Sequence, residues 1–210
     1  MSMQIPRSAF VAAPVLMGAY GIIRILDGLD GSHGPGLAWT TGHLCFLGAL
    51  AFFVRGFAEM RAIAGRGRLA AVGFWAGTAG VVAVGGQFVI DIVVGFMSAD
   101  RGAMEDLFTK IQGVPGIEPA FYSFGPMLFF VGQLILVVQL ATRRTLKPWA
   151  PVLVLIDTTL PFADKDLIPL GAVLLLISFA PLYRRAAPQA ALSPRLYAAV
   201  QAAPCDGDGA

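Results

Sequence analysis

Three ionisable side chains stand in stretches of sequence that are otherwise hydrocarbon. Asp91 falls in GGQFVIDIVVGFM (85–97), Asp157 in VLIDTTLPF (154–162) and His43 in TTGHLCF (40–46). An ionisable group at the centre of a bilayer costs about 2.5–3.5 kcal/mol on insertion scales, so each is expected to turn away from lipid and to have a use there. Removal from water favours the neutral form of a carboxyl, and a neutral acid in a dry site is a proton donor towards an alkene or an epoxide oxygen. The cation so formed needs aromatic faces around it, because a ring quadrupole attracts positive charge, and needs water kept away. Gln87, four residues before Asp91, shares its helical face. Phe88 and Phe96 flank Asp91, FYSFGPMLFF (121–130) supplies Tyr122 and Phe124, and Gln133 follows in the same apolar run. Asp91 and Asp157 are therefore the candidate catalytic acids. His43, Gln87, Phe88, Phe96, Tyr122, Phe124 and Gln133 are the candidate substrate-binding residues. The competing structural reading is that the two acids only hold helices together through a shared hydrogen bond. His33 and His43 lack metal-ligand spacing and no HExxH motif accompanies them, so neither a metal nor a cofactor is expected.

The elements that must position these residues are membrane helices. Of 210 residues, 57% are hydrophobic and only 13% charged, and the mean hydropathy is +0.73, which excludes an ordinary soluble domain. A net charge of +2 in short clusters argues against nucleic acid as a partner. The implied partners are membrane lipid and a lipophilic small molecule, with the oligomeric state undetermined. Cys45 and Cys205 show neither disulfide nor CxxC spacing. Uncharged runs of roughly 17–25 residues fit membrane-crossing helices, and no strand-like alternation suggests a barrel.

Apolar runs place six spans near 9–26, 37–58, 69–98, 121–141, 149–163 and 167–183. The first follows Arg7 and imitates a secretory leader, but continues to Leu26 and is expected to be retained. The fifth is short and opens with Trp149 and Pro151, suited to an interface and a first helical turn. Eleven Lys and Arg fall on one side of the spans and four on the other, which also holds eight acids. The positive-inside rule then puts both termini in the cytoplasm of a multi-pass inner-membrane protein. On this topology Asp91 lies roughly 12 Å, and Asp157 and His43 roughly 9 Å, below the outer surface. Arg24 and Asp27, and Arg55 and Glu59, are spaced to pair locally. Gly73, Gly77 and Gly80 form a small-residue face for close helix packing. Met104, Leu107, Phe108 and Ile111 predict an amphipathic helix on the outer face between spans three and four, floating at the headgroups or capping a cavity. The chain thus divides into a six-helix transmembrane domain, 1–185, and a cytoplasmic tail, 186–210, whose Ala- and Pro-rich composition predicts disorder.

With its size, its all-helical membrane body and intramembrane acids in FVIDIVV and LIDTTLPF, the chain resembles the small integral-membrane terpene cyclases of fungal meroterpenoid and actinobacterial indole-sesquiterpene pathways. The resemblance implies metal-independent cyclisation of an isoprenoid, started by an acidic residue at Asp91 or Asp157. It departs from the fungal pattern of seven helices in having six expected spans. The rival expectation is a small proton-coupled transporter or channel in which the same acids relay protons. A third is a non-catalytic membrane subunit.

Overall fold

A computed structural model describes residues 8–29 and 33–184. Among these, every regular element is helical. Seven α-helices run Ala9–Asp27 (α1), Leu37–Ile63 (α2), Arg68–Met97 (α3), Arg101–Gln112 (α4), Phe124–Thr142 (α5), Ala150–Ala163 (α6) and Ile168–Arg184 (α7). A π-helical turn, Glu118–Ser123, leads into α5, and a 3₁₀ turn, Lys165–Leu167, leads into α7. The expected disordered tail, 186–210, lies outside the described residues.

Five of these segments are long and apolar enough to cross a membrane: Ala9–Asp27, Leu37–Ile63, Arg68–Met97, Glu118–Thr142 and Lys165–Arg184. The fifth expected span forms as α6, but its 14 residues rise only roughly 21 Å at 1.5 Å each, against a hydrocarbon core of roughly 30 Å. Proline stands near both ends: Pro151 sits in the first turn, and Pro161, which carries no N–H, lies in the last.

Short connections reverse the chain. The turns after α2 and α5 lie at one end of the bundle and carry Arg66, Arg143, Arg144 and Lys147; those after α1, α3 and α6 lie at the other with Asp27, Asp100, Asp164 and Asp166. The ends are called here basic and acidic. α3 packs most extensively on α5, α1 lies between α2 and α7, and α6 leans on α7 and α5. Glycine makes the α3–α5 contact this close: a Cβ at Gly132 would strike the backbone of Gly77, and one at Gly80 the backbone of Phe129. The small-residue face read from Gly73, Gly77 and Gly80 thus meets a second glycine across the interface.

The basic half of the interior is filled. Phe57, Met60, Leu136, Leu140, Leu175 and Phe179 are all at most 1% exposed. Their burial away from lipid reflects packing, since hydrocarbon outside the bundle is as apolar as the interior. Arg55 donates to Glu59 at 3.2 Å, as the spacing predicts. Arg24 does not take Asp27. Its Nε lies 3.4 Å from Asp166, which the 3₁₀ turn carries to the end of α1, while Asp27 faces His33 at 3.7 Å.

At the acidic end, α4 starts where Asp100 accepts from the amide of Ala103 at 2.9 Å, a side-chain N-cap. Its predicted apolar face turns inward, with Met104 buried and Leu107, Phe108 and Ile111 half-buried. Phe108 lies over Trp39, ring centroids 6.4 Å apart.

Candidate functional site

Helical spacing gathers one face from each of several helices onto a cavity in the acidic half. Trp39, His43, Phe46 and Leu50 recur at the three-to-four-residue spacing of one face of α2. Val84, Gln87, Phe88 and Asp91 do the same on α3, and Met17, Tyr20 and Arg24 on α1. Tyr122 of the π-helical turn, with Pro126, Phe129 and Phe130 of α5, and Asp157, Pro161 and Phe162 of α6 close the remaining sides. The cavity volume is about 300 Å³.

Asp91 is held from three directions. Tyr122 Oη donates to Oδ1 at 3.1 Å, His43 Nε2 lies 3.6 Å from Oδ2, and Trp39 Nε1 donates to the backbone carbonyl at 2.9 Å. The indole reaches that carbonyl because Gly95, one turn after Asp91, has no Cβ to obstruct it. His43 Nδ1 lies 2.7 Å from the carbonyl oxygen of Trp39. A carbonyl only accepts, so the Nδ1 proton is spent there and Nε2 is the nitrogen left to exchange a proton with Asp91. Rings fix the imidazole on the remaining sides: Trp39 at 4.2 Å, Phe88 at 4.9 Å and Tyr20 at 5.7 Å between centroids. Phe46 stacks on Phe88 at 4.3 Å.

Asp157, likewise buried, lacks such support. It is 5% exposed and receives no hydrogen bond from any described residue. It lies against Gly171 of α7, where a Cβ would collide with its Oδ1. Pro161, one turn later, has no N–H to give the carbonyl of Asp157, so that oxygen lacks its usual helical donor. Thr158 and Thr159 turn back to the carbonyls of Val154 and Ile156 at 2.8 and 2.9 Å, and so leave the acid alone.

The cavity therefore brings together Asp91, Asp157, His43, Gln87, Phe88 and Tyr122. Phe96 and Phe124 stay outside it, 73% and 76% exposed on the outer surface of the bundle. Gln133 is wholly buried one turn beyond Phe129 and Phe130, towards the basic half, and neither polar atom of its amide finds a hydrogen-bond partner. Sequence reasoning passed over Trp39 and Tyr20, although Trp39 stands four residues before His43 on the same face. It also passed over Arg24 and Lys165 as lining residues. The chain matches no protein-family model, no curated protein and no solved structure.

Proposed function

We propose that this is a multi-pass protein of the inner membrane, with six membrane helices and both termini cytoplasmic, that cyclises an isoprenoid by protonation. The observation that carries the reading is the pair of unlike acids facing one aromatic-lined cavity. Asp157, to which no described residue donates, is the group with a proton to give. Asp91, supported by Tyr122 and paired with His43, is the group placed to take one back.

In this scheme the Asp157 carboxyl adds its proton to a terminal alkene carbon or an epoxide oxygen, leaving a carbocation. The next double bond attacks that centre and closes a ring. A proton beside the final cation leaves to the Asp91–His43 pair, so the product is an isomer of the substrate, and exchange with water after product release returns a proton to Asp157 and frees the pair of its own. Phe46, Phe88, Phe129 and Phe130 line the path of the positive charge. The filled basic half favours a one-ended site over a through-path, and so this reading over a proton-coupled transporter.

Membranes containing the protein, incubated with linear isoprenoids and prenylated indoles, are expected to yield cyclised products by mass spectrometry. Asp157→Asn and Asp91→Asn should each abolish them while leaving folded protein in the membrane. Full activity in both variants would sink the catalytic role. Proton flux in proteoliposomes, lost with the same substitutions, would favour transport instead.

A further inference from the structure

Two cations lie on the cavity lining at its acidic end, and the acid–base scheme uses neither. Arg24 comes from the last turn of α1 and Lys165 from the 3₁₀ turn before α7. Arg24 is half-buried, and its Nε is inaccessible to solvent yet makes no hydrogen bond; the nearest carboxylate, Asp166, is 3.4 Å away and 48% exposed. Lys165 is exposed and has no ion-pair partner within 4 Å among the described residues. The neighbouring acids Asp27, Asp164 and Asp166 do not line this cavity, whereas both cations do.

The charge pattern runs along the cavity: two cations at the acidic end, aromatic rings beyond them, and Asp91 and Asp157 on the walls. A wholly neutral hydrocarbon would leave Lys165 unpaired and Arg24 with only the half-exposed Asp166 to face. Guanidinium and ammonium groups at one end of an apolar cavity match a negatively charged oxygen head, a carboxylate or a phosphate, on a hydrocarbon tail. We infer that the ligand is an anionic-headed isoprenoid, with its head held by Arg24 and Lys165 and its unsaturated tail lying against Phe88, Phe129 and Phe130. This rests on the reading of the cavity as a substrate site and names the substrate class. It also fixes direction: the head stays at the acidic end, so the double bonds furthest from it enter deepest.

Binding is measured on the full chain in nanodiscs of zwitterionic lipid. The Trp75→Phe, Trp149→Phe background leaves Trp39, which lines the cavity, as the fluorescent reporter. Farnesyl phosphate, farnesoic acid and farnesol are the probes. The anions are expected to bind about a hundredfold more tightly than farnesol, and Arg24→Gln and Lys165→Gln each to remove about tenfold of that preference, with farnesol unaffected. Farnesol binding as tightly as the anions would overturn the anionic head while leaving the cavity as a ligand site. A preference that survives the double variant would overturn the roles of Arg24 and Lys165. Displacement of farnesyl phosphate by anionic phospholipid added to the nanodisc would assign the cations to the bilayer headgroups and overturn the proposal. Binding of none of the three would remove the cavity reading with it. Lys165 is exposed and its substitution leaves packing intact, so that arm stands even if Arg24→Gln fails to fold.

Discussion

At the scale of the residue, the two acids are distinguished by what surrounds them. The Tyr122 hydroxyl donates to the Asp91 side chain, so Tyr122→Phe removes a single donor and nothing of the ring. A hydrogen bond to a charged group is worth about 1.5–3 kcal/mol, so kcat/KM is expected to fall roughly tenfold to hundredfold. Phe124→Ala, two residues on and outside the cavity, should leave it unchanged when the two variants are assayed side by side. Gly171→Ala acts on the other acid: the added methyl displaces the Asp157 carboxyl, and activity should drop although no polar atom is lost. The ionisable residues were legible in the sequence, because a charge in hydrocarbon announces itself. Trp39 and Tyr20 were not, since an aromatic residue in an apolar run looks the same whether it faces lipid, core or cavity. The partner of Arg24 was missed because Asp166 is distant in the chain, while Asp27 offered a local alternative.

At the scale of the element, α3 and α5 form the fixed frame of the site, and α6 is its short wall. Gly132→Leu inserts a side chain where the α3 backbone already lies. It is expected to lower stability by about 1–3 kcal/mol or more, read as a fall in the melting temperature. Gly85→Ala is the control: its Cβ would meet only the Leu50 side chain, at an ordinary 3.8 Å. Helix positions were legible because apolar runs and prolines mark them plainly. The π-helical turn at Glu118–Ser123 was not. It is a change of register inside a continuous helical run and alters no local pattern, yet it carries Tyr122. The amphipathic stretch at 101–112 was legible from its spacing, and its inward face explains why Phe108 meets Trp39.

At the scale of the whole molecule, charge separates the two ends of the bundle. With Cys45→Ala and Cys205→Ala as background, a cysteine at Ala99 should react with an impermeant maleimide added to intact cells, and one at Thr145 only after lysis. The reverse pattern would invert the proposed topology. The overall class was legible from composition alone, whereas the cavity was not, because it arises from faces contributed by helices more than a hundred residues apart. The cavity's α5–α6 wall includes Met127 and Phe162, which are 38% and 64% exposed on the apolar flank of the bundle. A ligand loading across that seam arrives sideways, out of the hydrocarbon, and its concentration is then its mole fraction in the bilayer. Adding inert lipid at fixed total ligand should lower the rate by dilution in two dimensions, although the bulk molarity has not changed.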